Sequence, residues 1–284
     1  MSLPSTSTQV TFPAGEVTGR SQVLACVELP EGRWGVVTAS TPFHPLDHTW
    51  PDQPADSGTL ADRQLLDCVT GGVSPEGELF LGTDIPVRRG EEGWAWLVVH
   101  VLAEPVPVGA EVELRVDAGK RGALSAAHTG CHLLALALNE ALAPRWRKDP
   151  GRVDAFGHPD FDALAMDSSR MDEQASYDVY RIGKSLKKKG FTVEGLAEEL
   201  PAVQDAVNAR LASWVAADAK VGIEAPGPEL TARRQWHAHL PEGEATIFCG
   251  GTHLSHLGQL TALATELALS ADGSQLTAVT RPRR

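Results

Sequence analysis

Two short stretches of the chain could do chemistry. "HTGCHLL", residues 128–134, places His128 and His132 four positions apart in a run from Leu124 to Ala143 that is mostly Ala and Leu. On a helix, such a pair shares one face with its Cβ atoms roughly 5 to 6 Å apart, which is a bite for one divalent ion. The alternative is two packed histidines hydrogen-bonded to their neighbours. "CGGTH" places Cys249 and His253 four apart, directly after the strand-like "EATIF". Gly250 and Gly251 permit a tight turn that would let thiolate and imidazole face one point. Here the alternative is a glycine turn with incidental neighbours. Three imidazoles and one thiolate make an acceptable tetrahedral set for zinc.

The elements that must position these residues fall into two blocks. In the first ~115 residues, short β-branched and alternating runs lie between turn signals: "RSQVLACVEL", "RWGVVTAS", "RQLLDCVTG", "GWAWLVVHVL" and "EVELRVD". A small antiparallel barrel would bury these strands and remove their edges. At Gly122 the period changes. Ala123–Ala143 reads as a helix of about six turns, stopped by Pro144 and apolar on all sides, hence central to a second domain.

Beyond it, "FDALAMD" suggests a strand, and Val179, Ile182 and Leu186 fall at helical spacing ahead of Lys187, Lys188, Lys189 and a Gly190 cap. Thr192 would cap a short helix to Leu200. Pro201 would open the next, with Val203, Val207, Leu211 and Trp214 as its apolar stripe. "LTALATELAL" and "QLTAVTRP" suggest a closing hairpin about "ADG", with "RPRR" a frayed tail. The predicted fold class is α+β: residues 1–115 a β-barrel-like domain, packed on residues 116–284, an α/β domain with a central metal-ligand helix, an antiparallel sheet and an enlarged helical connection over about 144–240.

Composition narrows the function classes. Hydrophobic residues make up 42% of the 284-residue chain, and no window approaches the ~18 to 20 apolar residues of a membrane span. The polar start "MSLPSTSTQV" lacks the regions of a signal peptide, so a cytoplasmic protein is expected. The four cysteines show no C-x-x-C spacing. Cys26 and Cys68 lie in apolar contexts as small buried hydrophobes. A net charge of −12 argues against a broad phosphate-gripping surface. Any basic contribution would be local, from Lys184, Lys187, Lys188 and Lys189 with Arg145, Arg147 and Lys148, although a lysine run at a helix end equally suits the helix dipole.

The two motifs together resemble the zinc motifs of the alanyl-tRNA editing domain. That domain is found in alanyl-tRNA synthetases and the stand-alone AlaX family, and is similar to the editing domain of many threonyl-tRNA synthetases. Upstream, "TPFHP" (41–45), "QPADSG" (53–58) and "VELRVDAGKRGALSAAHTGCHLL" (112–134) resemble segments of the same family in the same order. The resemblance implies a metal-holding α/β domain and an active site in a cleft beside the β domain. It also implies Zn2+ held by His128, His132, Cys249 and His253, and hydrolysis of the ester joining a wrong amino acid, chiefly serine or glycine, to tRNA(Ala).

Thr41, Gln53 and Thr252 are the candidates to orient water or the ribose hydroxyl. His44, Trp50, Asp56, Gly250 and Gly251 would line the substrate site, and His44 and His256 are candidate supports for the ligands. The family's glycine-rich segment between the upstream Pro and Gln is replaced here by "LDHTWPD", residues 46–52, which contains no glycine; His48 and Trp50 would shape a different pocket. Three readings follow: a trans-editing deacylase acting on the aminoacylated 3′ end of tRNA, a metal hydrolase of the same ancestry acting on a small aminoacyl ester or amide, and a non-enzymatic zinc-stabilised binding module.

Overall fold

The computed structural model describes residues 3–284. In chain order the elements are β1 (Gln9–Val10), β2 (Thr18–Leu29), β3 (Arg33–Thr38), β4 (Ser40–Thr41), β5 (Gly58–Leu60), β6 (Arg63–Gln64), β7 (Asp67–Val73), β8 (Leu79–Leu81), β9 (Ala95–Leu102), β10 (Glu111–Val116), α1 (Ala118–Leu142), α2 (Phe161–Ala165), β11 (Met166–Met171), β12 (Ser176–Arg181), α3 (Lys184–Lys188), α4 (Leu196–Ala216), β13 (Val221–Glu224), β14 (Gln235–Leu240), β15 (Gly243–Phe248), β16 (Ala262–Leu269) and β17 (Gln275–Arg283). The fold is α+β with antiparallel main sheets. Two compact units are present. The first runs to Gly122 and takes in Ile223–Gln235 and Phe248–Thr252; the second comprises Ala123–Gly222, Trp236–Ile247 and His253–Arg284. No helix among the described residues is long and apolar enough to cross a membrane.

The first unit holds an antiparallel sheet in the order β6-β5-β10-β2-β3-β9-β7-β8. The expected barrel does not close: among the described residues no pairing joins β6 to β8. These edge strands are two and three residues long, too short to carry a closing seam. Strand β9, "AWLVVHVL", is buried along its whole length because both faces of the sheet are covered. Trp96, Val98 and Leu102 pack with Val36, Phe43 and Leu60, while Ala95, Leu97 and Val99 pack with Ala25, Val37 and Val73. A run apolar at every position is what two buried faces require. At Gly58 the backbone φ is +153°, and a Cβ would fall 2.1 Å from the Arg115 carbonyl oxygen. The glycine ending "QPADSG" is therefore a packing necessity.

Helix α1 begins five residues before the period change suggested. The Asp117 carboxylate accepts from the Lys120 N–H at 3.0 Å, an N-cap that lets the first turn tolerate Gly119 and Gly122. In the second unit, Gly130 brings this helix close to the hairpin β16–β17: a Cβ there would lie 3.0 Å from Leu263 Cδ1 and 3.4 Å from Thr280 Cγ2. The sheet order is β11-β12-β17-β16. The hairpin pairs as expected, but "RPRR" is no frayed tail, because Arg281, Pro282 and Arg283 pair with Ala264, Leu263 and Ala262.

Three local expectations are corrected in this unit. "FDALAMD" is a short helix, capped by the Asp160 side chain, that turns into β11. Val179 lies on a strand, and only Leu186 of the three apolar residues at helical spacing lies on a helix. The segment from Leu196 is one helix passing through Pro201, with Arg145 fastening the chain ahead of it. Arg145 is buried, donates to the carbonyls of Thr192 (3.1 Å), Glu194 (3.2 Å) and Gly195 (3.1 Å), and pairs with Glu199. It is a structural clamp and is withdrawn from the basic surface that the sequence suggested. The stripe Val203, Val207, Leu211 and Trp214 is buried as expected.

Candidate metal centre

Helix α1 fixes the first two imidazoles. The rings of His128 and His132 stack 5.1 Å apart at an interplanar angle of 11°, as the i, i+4 spacing dictates. His253 closes the group, its ring centroid 4.4 Å from His128 and 4.9 Å from His132. It is steered by Thr129, on α1 beside His128, whose hydroxyl lies 3.2 Å from His253 Nδ1 and accepts from the Leu254 N–H at 3.1 Å. Such a partner on one ring nitrogen orients the other, as in metal sites whose histidines are held by outer hydrogen bonds. Trp236, fully buried on β14, stacks on His132 at 5.0 Å and 15°.

The two motifs converge. One ligand atom each from His128, His132, Cys249 and His253 lies within 4.8 Å of all the others. His132 Nε2 is a buried nitrogen with no hydrogen-bond partner, and burial together with the neighbouring His128 holds the His132 imidazole well below the usual histidine range. A neutral imidazole with an unengaged buried nitrogen is in the state a metal ion requires. Burial pushes the Cys249 thiol up to about 12, against the Gly251 N–H that donates to its sulfur at 3.4 Å and the Arg234 guanidinium. A cation would reverse that cost by binding the thiolate directly. Three nitrogens and one sulfur fit zinc by donor chemistry.

The other residues singled out in the sequence have distinct placements. Gln53 and Thr252 are both buried and form a reciprocal pair. The Gln53 Nε2–H donates to the Thr252 hydroxyl and the Thr252 N–H donates to Gln53 Oε1, each at 2.9 Å. Thr41 is buried elsewhere in that unit, 2.9 Å from His100 Nε2. Because His100 Nδ1 sits 2.9 Å from the Val36 carbonyl and must donate to it, Nε2 accepts, and the Thr41 hydroxyl is the donor. Burial pushes His100 down to about 4, so this tautomer stays neutral.

Asp56 is engaged by protein. Its carboxylate accepts from the His44 N–H at 2.6 Å and from Arg121 Nε at 2.8 Å, with Arg121 Nη2 as a third donor that also reaches the Pro42 carbonyl at 2.8 Å. The buried Asp56–Arg121 pair thus ties "TPFHP" to "QPADSG". His44 packs edge-on to Phe12 at 4.9 Å. Gly250 is exposed and Gly251 buried. His256 is exposed and bound by Asp218 at 2.7 Å.

In the glycine-free loop, the Asp47 carboxylate caps the N–H groups of Thr49 (2.7 Å) and Trp50 (3.0 Å) and pairs with Arg89. His48 lies over Trp96 and Trp50 is 46% exposed. Sequence reasoning passed over Thr129, Trp236, His100 and Arg121. Thr129 was inside the motif already quoted, and Trp236 opens an alternating run, "QWHAHL", that has the period of a strand.

Known proteins bear on this arrangement. Over 109 residues, 38% of this chain and 39% of the relative, the sequence is 36% identical to the alanyl-tRNA editing protein AlaX-M of Pyrococcus horikoshii. The chain thus spans about two fifths of that relative's length. No family model matches it. Over the aligned stretch, the chain is a relative of the AlaX alanyl-tRNA editing proteins, the group that its histidine pair and Cys-Gly-Gly-Thr-His segment resemble.

Proposed function

We propose that this protein is a zinc-dependent trans-editing hydrolase that deacylates mischarged tRNA, with seryl- or glycyl-tRNA(Ala) as the substrate. The observation that carries the reading is the convergence of His128, His132, Cys249 and His253 on a common point in a relative of an alanyl-tRNA editing protein. When bound, zinc would supply Lewis-acid polarisation of the ester carbonyl or a water of lowered pKa.

The chain's own residues have the following parts. His128, His132, Cys249 and His253 would hold the ion, and the Thr129 hydroxyl orients the His253 ring. Trp236 covers His132 and keeps water from its ring. Gln53 fixes the hydroxyl and N–H of Thr252, the residue before His253, so this pair sets where the ligand turn presents itself to water or the ribose hydroxyl. Thr41 acts as a positioning residue: its hydroxyl holds His100 and accepts from the Phe43 N–H at 3.2 Å. Gly250, next to Cys249, leaves open backbone for the aminoacyl group, and Trp50 offers an exposed ring beside the loop that departs from the family. For tRNA, the exposed cations are Lys184, Lys187, Lys188 and Lys189 on and after α3, with Arg147 and Lys148 beside them. The Arg147 N–H donates to the Gly190 carbonyl at 3.0 Å.

Incubation of the pure protein with seryl- and glycyl-tRNA(Ala) is expected to release amino acid above spontaneous hydrolysis, and His132→Ala to abolish the excess. No release from either tRNA would overturn the reading. A second reading, hydrolysis of a small aminoacyl ester, is favoured by the rebuilt Asp47–Trp50 loop and the net charge of −12. Ionic strength separates the two. Turnover of tRNA falls steeply with salt because phosphate contacts release counterions, whereas turnover of a small ester stays nearly constant.

A further inference from the structure

We infer that strands β14 and β15 carry a second divalent-metal site, formed by His237, His239 and Glu244 and separate from the four-residue centre. One ligand atom from each of the three lies within 4.8 Å of the others. Side chains alternate along β14. Trp236, Ala238 and Leu240 are buried on one face, so His237 and His239 stand together on the other. Glu244 projects from the adjoining strand β15.

Two further observations single this trio out from an ordinary surface cluster. His237 Nδ1 is a buried nitrogen with no hydrogen-bond partner. On the neighbouring strand β13, position 222 is glycine, and a Cβ there would meet His237 Nε2 at 3.3 Å, so the missing side chain is what leaves room for the imidazole. The two imidazole rings stand 5.4 Å apart at 69°, turned out of parallel so that nitrogens from both can address one point.

Two imidazoles and one carboxylate select borderline divalent ions such as Zn2+, Co2+ or Ni2+ over Mg2+ and Ca2+, which favour all-oxygen sets. Three protein ligands leave at least one position to water. With His239 and Glu244 exposed, this site should bind more weakly than the buried four-ligand centre. An ion there would cross-link β14 to β15, the strand that ends one residue before Cys249, and so brace the chain where it enters the ligand turn. The two centres sit on the two faces of β14, with Trp236 on His132 on one side and His237 on the other.

The inference does not rest on the proposed hydrolysis, and metal counting tests it. Full-length protein stripped of metal is titrated with Zn2+ in equilibrium dialysis, beside His132→Ala, the double variant His237→Ala/His239→Ala, and Glu244→Gln. The native chain is expected to bind zinc in two classes. The tighter class should vanish in His132→Ala, and the weaker in the double variant. Glu244 is exposed, so Glu244→Gln should leave the far-ultraviolet circular dichroism unchanged while weakening the second class by more than about tenfold, since even outer-shell changes cost that much. A single class lost only in the double variant would support this site and tell against the four-ligand centre. Equal stoichiometry and affinity in the native chain, the double variant and Glu244→Gln would overturn the inference.

Discussion

At His128 and His132, helix α1 carries imidazoles whose nitrogens converge with those of His253 and the sulfur of Cys249, leaving His132 Nε2 buried without a hydrogen bond. Two turns further along the same helix, Asn139 enters a different kind of buried polarity. Its amide donates to Asp154 (3.3 Å) and Asp160 (3.2 Å), and its oxygen accepts from the Asp162 N–H (2.9 Å). Beside it, the Tyr180 hydroxyl donates to Asp162 at 2.9 Å, and Ser169 and Ser176 donate to Asp178 at 2.6 and 3.2 Å. In the second region every carboxylate named has a donor from the protein. In the first, three imidazoles and a thiol bring one ligand atom each within 4.8 Å of one another, the donor set of a zinc site. Buried polar groups persist when paired, so converging nitrogens and sulfur in one region and protein-supplied donors in the other separate a candidate ligand cage from a structural network.

The largest expected effect comes from breaking the cage. His132→Ala and Cys249→Ala should each lose the tighter class of bound zinc and drop deacylation by more than about a hundredfold, exceeding the cost of outer-shell substitutions. Metal analysis paired with a deacylation assay reads both. Chelation should lower the melting temperature of the native protein, because an ion that binds only the folded chain contributes to its stability, and should lower that of His132→Ala by less, since only the weaker site remains there to be emptied. An unchanged native melt would place the four residues with the structural network instead.

Breaking the network should do the reverse. Asn139→Ala leaves the Asp162 N–H and two carboxylates short of partners and should destabilise the fold by about 1 to 3 kcal/mol, measured by urea unfolding. Zinc content and activity per folded molecule should hold. Loss of zinc at full stability would show that the two regions are one.

Legibility differed between these regions for the same reason. His128 and His132 were visible because imidazoles at i, i+4 interrupt an Ala and Leu run, and a cage needs unusual residue types at fixed spacing. The network was hidden. Strand β12 turns Ser176, Asp178 and Tyr180 inward, so its buried face is largely polar and the apolar alternation that marks a strand is absent. Val179, Ile182 and Leu186 then imitated a helix by chance. Pro201 hid the continuity of α4, because a proline one turn inside a helix forfeits one hydrogen bond without ending it. Openness of the first unit's sheet was equally unreadable. Strand content can be read from alternation, but whether edge strands meet depends on pairings between distant residues.

Acidity supplies a subtler contrast. Burial, with Asp178 and Asp160 nearby, raises Asp162 from 3.8 to about 7 against the Tyr180 hydrogen bond and Arg152. Below pH 4 the group is protonated whether folded or unfolded and costs nothing. Between about pH 4 and 7 only the folded chain keeps the proton, so stability falls as pH rises and levels off above 7. Asp162→Asn, which can still accept from Tyr180, should flatten this slope and leave the variant more stable than the native chain at pH 8, measured by unfolding across pH. A native profile already flat from pH 4 to 7 would contradict the assignment.

The smallest effect tests the boundary between the regions at its narrowest point. Cys131 lies inside "HTGCH", between two proposed ligands. Its sulfur instead reaches into the network, 3.5 Å from Asp178 Oδ1 and 3.8 Å from Ser169 Oγ. One residue step turns a helical side chain by about 100°, enough to place neighbours of one motif in different environments. Cys131→Ala should cost about 1 kcal/mol or less, because Asp178 keeps both serine donors. Zinc stoichiometry and the rate of deacylation should be unaltered. If Cys131→Ala instead released the metal while Cys249→Ala retained it, the thiolate of the cage would have to come from the helix, and the turn at Gly250 and Gly251 would lose its role as the carrier of half the site.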